Sequence, residues 1–274
     1  VFEKEAYKNV ISNGLVLDKT GQKMSKRLGN AIDPFETLDR FGPDATRWYM
    51  ISNSNPWDNL KFDIDGIAEV QRKFFGTLYN TYSFFSLYAN IDNFDPKKED
   101  LIPYQKRTEL DKWIISELNS LILEVDRSYE NYEPTKSCRA ISDFVQEKLS
   151  NWYVRLSRRR FWKGEYGEDK IAAYQTLREC LITVSKLGAS IAPFYMDHLY
   201  KDLIIDKSSS VHLTDFPKVN HELIDTELEA QINTARNLTS LALSLRKKEQ
   251  IKVRQPLKKL IIPTKNQSER KLIK

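Results

Sequence analysis

The sequence predicts a mainly α-helical bundle, preceded by a short turn-rich mixed segment and followed by a small α/β piece. Three observations lead there. Apolar residues recur at helical spacing in four or five windows between Ile67 and residue 204, prolines and glycines separate those windows, and 41% hydrophobic residues can fill a core. In residues 1–62, Gly14-Leu15-Val16-Leu17 reads as a short strand running into the glycine-closed turn Asp18-Lys19-Thr20-Gly21. Asp33 is an N-cap candidate with Pro34 at the first helical position, and Gly42 stands where the short helix 34–40 should stop. After Gly66 the pattern changes to long stripes, and residues 63–206 read as the bundle.

Its first helix, Ile67 to Asn90, carries Val70, Phe74, Phe75, Leu78, Tyr82, Phe85 and Tyr88 on one face. The second runs from Glu109 to Tyr129. Pro134 opens the third, whose stripe of Ile141, Phe144, Val145, Leu149, Trp152 and Leu156 extends to Trp162. A fourth spans about 169–186, and Pro193 starts a fifth over 193–204. In residues 207–274, Val211-His212-Leu213 reads as extended and 221–248 as a charged helix. β-formers at Ile251, Val253 and Leu260 to Ile262, around Pro256, suggest the small α/β unit.

Composition narrows the function. With 30% charged residues and 26 Phe and Tyr together, collagen-like, low-complexity and disordered chains are excluded. No window reaches the ~18 uncharged apolar residues of a membrane span, because even Leu181 to Met196 carries Lys186. The chain begins at Val1 with no leader pattern and reads as a piece of a longer, soluble, cytoplasmic protein. Cys138 and Cys180 are too far apart for a redox pair, and His198, His212 and His221 lack metal-ligand spacing, so two free thiols and no metal site are expected. The net charge is only +5, yet the window 148–163 holds +6 and the window 245–274 holds +9, leaving −10 on the other 228 residues. Two basic concentrations on an acidic remainder suit a polyanionic partner.

The segment richest in chemistry is Lys23-Met24-Ser25-Lys26-Arg27, set between Gly21 and Leu28-Gly29-Asn30. Two lysines three apart on a glycine-flanked loop can close on a triphosphate and stabilise charge developing on a leaving pyrophosphate, with Arg27 adding a forked donor. A bare Lys-x-x-Lys is otherwise a common solvated loop. Here the run from Gly14 to Asn30, with Asp33-Pro34 and Phe41-Gly42-Pro43-Asp44-Ala45-Thr46-Arg47, resembles the signature-loop region of class I aminoacyl-tRNA synthetases. That family usually has serine where Arg27 stands, a variant it tolerates. The resemblance implies that residues 1–62 end a nucleotide-binding catalytic domain. It also implies that Lys23, Ser25, Lys26 and Arg27 contact ATP, which carries Mg in the full-length enzyme, and that Lys23 and Lys26 act in catalysis.

Further along, Ser150 to Trp162, Tyr82 to Phe85, Tyr88 to Asp92 and Ile251 to Leu257 are similar to isoleucyl-tRNA synthetases. Valyl and leucyl enzymes share the architecture but fit the arginine-rich helix less well. The resemblance makes residues 63–206 a helical anticodon-binding domain and residues 207–274 the start of a junction region. It implies an isoleucine-accepting tRNA as partner, no protein partner and a monomer. No histidine here is followed by glycine, so the family's His-Ile-Gly-His half of the site is missing, and the chain alone is expected to be catalytically silent, with no cofactor bound.

Arg155, Arg158 and Arg159 lie at i, i+3 and i+4 and project together, with Lys163 just beyond. They read as contacts to the tRNA backbone, since no acidic residue lies between Lys148 and Lys163. Trp152, Tyr153 and Trp162 read as core, the alternative for Tyr153 and Trp162 being stacking on unpaired bases. The basic tail from Arg246 to Lys274 fits either a contact to the anticodon arm or a disordered end. A non-catalytic RNA-binding module of the same ancestry and a purely structural helical adaptor are the alternatives to an enzyme fragment.

Overall fold

A computed structural model describes residues 5–204, 206 and 208–264. The N-terminal segment is organised by turn chemistry. Strand β1 (Val16–Leu17) lies parallel to β2 (Leu60–Lys61), Val16 beside Leu60 and Leu17 beside Lys61. Helix α1 (Pro34–Phe41) starts as the sequence indicates, Asp33 Oδ1 accepting from the Phe35 amide at 2.8 Å, and ends at Gly42 with φ at +79°.

The next helix was not anticipated. Helix α2 (Pro43–Asn53) follows directly, and its burial is split between two cores. Trp48 points into the main core, whereas Ala45 and Tyr49 join Phe41, Leu60, Phe62 and Ile67 in a smaller cluster under the N-terminal segment. A helix buried on two sides shows no single stripe, which hides it from a periodicity search.

The bundle matches the predicted stripes closely in extent. Helix α3 (Ile64–Val70) continues through a π turn, Gln71–Phe75, into α4 (Gly76–Ile91). Helix α5 (Glu109–Glu130) opens with a reciprocal capping box between Thr108 and Asp111. Helix α6 (Pro134–Asp143), a π segment (Phe144–Val154) and α7 (Arg155–Trp162) form one continuous rod. Helices α8 (Glu168–Gly188) and α9 (Pro193–Leu203) complete it. Trp113, Ile114, Phe144, Leu149, Leu177, Leu181 and Met196 are at most 1% exposed in its centre, each worth roughly 1.5–3 kcal/mol over an exposed position.

The π segment corrects the predicted stripe of the third helix. Beyond Leu149 the buried positions are Tyr153, Val154, Ser157 and Phe161, while Trp152 is half-buried and Leu156 is exposed. A π turn takes up an extra residue, so the inward face slips by one position from the α register.

The C-terminal part differs more. Val211–Leu213 is a 3₁₀ turn rather than extended, because Asp197 Oδ1 accepts from the Val211 amide and the Ser210 hydroxyl and Ser210 Oγ accepts from His212. The predicted helix 221–248 begins later, as α10 (Thr226–Lys248) capped by Asp225, after a separate 3₁₀ turn at His221–Leu223. Among the described residues 249–264 there is no strand, so only the helical part of the expected α/β piece is seen. The Arg246 guanidinium instead donates to the carbonyls of Lys252 and Gln255 at 3.0 and 2.9 Å, and β-formers without a partner strand have no ladder to join. Lys265, Arg270, Lys271 and Lys274 of the basic tail lie outside the described residues. No described helix is long and apolar enough to cross a membrane.

Candidate functional site

The signature loop is pinned at both ends and open between. Leu17 and Lys23 form an antiparallel bridge around the turn, closed by the Gly21 amide on Asp18 O at 2.9 Å with Gly21 at φ +90°. Asp18 Oδ1 accepts from the Thr20 hydroxyl and the Thr20 and Gln22 amides, and Oδ2 accepts from Asn30 Nδ2 at 2.8 Å. Hydrogen bonds from Thr20, Gln22 and Asn30 hold the Asp18 carboxyl well below the usual carboxylate range. Asn30 in turn accepts from the Ser25 amide at 2.8 Å and donates to Lys23 O at 3.3 Å. Asp18 and Asn30 were not singled out as site residues in the sequence, although both stand inside the recognised run.

Within that clamp, Met24 packs on the smaller core while Lys23, Lys26 and Arg27 stand exposed. Lys26 and Arg27 form a 3₁₀ turn capped by Ser25 Oγ, which accepts from the Arg27 amide at 3.2 Å, and closed by Gly29 in the left-handed region. Among the described residues none of these three cations has an ion-pair partner, whereas ten other Lys and Arg side chains are paired with carboxylates. Exposed cations beside a hydroxyl, with no carboxylate to neutralise them, are a donor set that fits a triphosphate. The described residues include no group of three His, Cys, Asp or Glu side chains placed to hold a metal.

The basic helix divides its charges. Arg155, Arg158, Arg159 and Lys163 are exposed and unpaired among the described residues. Lys148 and Arg160 are not available: Lys148 Nζ lies 2.6 Å from Glu117 Oε2, and Arg160 spans Asp111 and Asp169. The four predicted RNA contacts therefore remain as a solvent-facing group. Of the aromatics, Tyr153 is fully buried, its hydroxyl donating to Asp111 Oδ1 at 2.6 Å. Trp152 is half-buried under the Arg236 guanidinium, 5.9 Å from its ring centroid, and Trp162 is 52% exposed. Arg236, from α10, is a cation near this face that the local window could not reveal. Cys138 and Cys180 are free and buried, and burial pushes both thiols up.

Comparison with known proteins finds two matching regions. Residues 111–261 match the anticodon-binding domain of tRNA ligases, and residues 1–63 match class I tRNA synthetases of the I, L, M and V group. The chain belongs to the tRNA-ligase anticodon-binding domain family, carried here beside a class I synthetase segment. It is 62% identical over 267 residues to the isoleucine–tRNA ligase of Cytophaga hutchinsonii, covering 96% of this chain and 24% of that protein. The Bacteroides fragilis isoleucine–tRNA ligase is also 62% identical, with 96% and 23% covered, and that of Dehalococcoides mccartyi is 46% identical over 98% and 27%. The chain thus spans about a quarter of the length of these relatives. In fold it resembles the LeuRS of an Agrobacterium radiobacter LeuRS–tRNA–LeuAMS ternary complex, with a TM-score of 0.60, 20% identity, and 78% of this chain and 24% of that one covered.

Proposed function

We propose that this chain is the part of an isoleucine–tRNA ligase that supplies the ATP-contacting loop and the anticodon-side RNA surface. The observation that carries the reading is two groups of exposed cations, unpaired among the described residues, Lys23, Lys26 and Arg27 in the loop and Arg155, Arg158, Arg159 and Lys163 on the bundle, in a chain 62% identical to isoleucine–tRNA ligases. Residues 1–62 end the catalytic domain, 63–206 form the anticodon-binding bundle and 207–274 begin a junction region. The protein works as a cytoplasmic monomer with an isoleucine-accepting tRNA as partner.

In the full-length enzyme the isoleucine carboxylate attacks the α-phosphorus of ATP, whose bond to the bridging oxygen breaks as pyrophosphate leaves. Lys26 and Lys23 neutralise the charge gathering on those leaving oxygens, Ser25 and Arg27 orient the phosphates, and Mg bound to the triphosphate would add to that neutralisation. The activated acyl group then passes to the terminal adenosine of the tRNA. These 274 residues lack the complementary His-Ile-Gly-His motif and do not activate isoleucine alone. A second reading is an RNA-binding module without catalysis, favoured by the exposed arginine group on the bundle.

Filter binding of the chain to an isoleucine tRNA transcript tests the reading. Four phosphate contacts predict a logarithmic salt slope of about −3; binding that ignores salt, or none at all, overturns it. Isoleucine-dependent ATP–pyrophosphate exchange by the full-length protein separates the enzyme from the module.

A further inference from the structure

Helix α4 ends in a left-handed cap built on Asn93. The Asn93 amide, on a residue at φ +54°, donates to Asn90 O at 3.3 Å, and the Phe94 amide donates to Ala89 O at 2.8 Å, the two bonds of a Schellman turn. The turn folds Phe94 back over the helix. Its ring packs edge-on against Phe85, centroids 6.4 Å apart, and stacks on Tyr174 at 4.9 Å. Phe85 and Phe94 thereby form a fixed apolar wall of a 380 Å³ cavity, to which α8 contributes Arg178 and the end of α9 contributes Leu203. A neighbouring cavity of 320 Å³ is also lined by Phe94 and Arg178.

Arg178 is half-buried and held in one orientation. Its Nε donates to Leu203 O at 2.9 Å, a carbonyl that the last turn of α9 leaves without a helical partner. That leaves the two Nη groups. Among the described residues they have no hydrogen-bond acceptor and no carboxylate within ion-pair reach, and neither is sealed from solvent. By contrast, the enclosed Arg107 and Arg160 each face a carboxylate. Burial lowers the proton affinity of the Arg178 guanidinium, and only Tyr200 opposes it. The acids at the cavity rim are already engaged. Asp95 accepts from the Lys97 amide at 3.0 Å and pairs with Lys98, while Asp202 accepts from the Tyr82 hydroxyl and lies 3.7 Å from His198 Nε2.

We propose that this cavity binds a small organic carboxylate with an aromatic or branched apolar body, its two oxygens on the Nη pair of Arg178 and its body against Phe85, Phe94 and Leu203. A guanidinium offers two parallel N–H bonds to the two oxygens of a carboxylate, and such charge-assisted bonds are roughly twice as strong as neutral ones. The cavity is of the size that encloses a small organic molecule. Its apolar wall disfavours inorganic phosphate, which would shed hydration there without donors to replace it. No residue of the signature loop or of the arginine face lines this cavity, so the inference stands independently of the RNA reading.

Titration of the chain with hydrocinnamate, followed by backbone-amide NMR shifts, is the test, with hydrocinnamamide and inorganic phosphate as comparison probes. Hydrocinnamate should bind with a Kd of about 1 mM or tighter, the range of a ligand this small, and shift the amides around Phe94 and Leu203. Hydrocinnamamide has the same shape without the charge and should bind about tenfold more weakly or worse, as should inorganic phosphate. Arg178→Gln should weaken hydrocinnamate by about tenfold or more, and Arg178→Lys, which keeps the charge but not the fork, by an intermediate factor. Ser86→Phe fills the cavity from α4 with Arg178 in place and should abolish binding. If Arg178→Gln loses helicity by circular dichroism, because Leu203 O is left uncapped, Arg178→Lys and Ser86→Phe are read in its place. Equal affinity for hydrocinnamate and its amide, tighter binding of phosphate, binding unchanged by Ser86→Phe, or no binding at concentrations on the order of 10 mM overturns the proposal.

Discussion

The Arg160 guanidinium faces the Asp111 carboxylate in a two-pronged ion pair, Nη1 at 2.7 Å from Oδ1 and Nη2 at 2.8 Å from Oδ2. Asp111 is completely buried, and it also receives the Tyr153 hydroxyl and closes the capping box of α5. Burial alone pushes its carboxyl up, but the hydrogen bonds and charge of Arg160, with Tyr153 and Thr108, outweigh that and hold it below the usual range. In a run of arginines that looks uniform in sequence, this one ties α7 to α5 and its neighbours face solvent.

Asp111→Asn removes the buried countercharge of Arg160 and leaves only the largely exposed Asp169 to pair with it. Breaking a buried pair from one side costs about 3–5 kcal/mol, so urea unfolding followed by circular dichroism should show a loss of that size. A loss under about 1 kcal/mol means the pair does not hold the two helices together. Changing Arg155, Arg158 and Arg159 to Ala should move stability by no more than a few tenths of a kcal/mol each, as surface substitutions do.

The same pair sets an acid limit. The folded Asp111 carboxyl is more acidic than an unfolded one near 3.9, so its stabilisation is fully present above about pH 4 and is lost as pH falls through the folded value. Glu117 works the other way. Burial raises its carboxyl against the opposing pull of Lys148, so its contribution favours the fold at low pH and fades as pH rises through the raised value. Because Glu117 is common to both proteins, the wild-type chain should lose more stability than Asp111→Asn, or gain less, between pH 5 and pH 3; parallel curves would assign the acid limit to other carboxyls.

For the RNA surface, replacing Arg155, Arg158 and Arg159 by Ala should flatten the salt slope of tRNA binding by about 2–3, since each phosphate contact contributes a little under one unit. Isoleucine activation by the full-length enzyme should be unchanged. Equal loss of both would make the arginines structural.

In the loop, Lys26→Ala in the full-length enzyme should slow ATP–pyrophosphate exchange by about 10²–10³, the usual cost of one lost donor at developing oxyanions. Exchange near the wild-type rate would remove Lys26 from the phosphate site. The Asp18–Asn30 clamp accounts for the expected size, because it presents Lys26 on a turn fixed at both ends.

Much of this fold was legible because the signals were local. Asp33 with Pro34 and Gly42 bracket α1, and one apolar stripe each marks α4 and α5. Helix α2 escaped because Trp48 and Tyr49 serve different cores. The inward turn of Tyr153 at the expense of Trp152 escaped because a π slip changes the period within a helix, not its composition. At the candidate site, the loop motif and the exposed arginines could be read directly. Which cations of the basic helix are occupied could not, since Asp111 and Glu117 lie 49 and 31 residues from Arg160 and Lys148.

Trp162 is the residue on which packing and recognition predict opposite results. It ends α7 next to Lys163, one turn beyond Arg158 and Arg159, and exposes 52% of its surface while Tyr153 and Phe161 on the same rod are buried. A large open ring among cations with no ion-pair partner in the described residues suits stacking on an unpaired base, worth about 1–3 kcal/mol. Trp162→Ala should then weaken tRNA binding by about 5-fold or more with the salt slope unchanged, because a stacking contact releases no counterions. Unfolding in urea should be nearly unaffected. A loss of stability above about 1 kcal/mol with tRNA affinity intact would return Trp162 to the core, and a flattened slope would mean that its removal had displaced the neighbouring arginines.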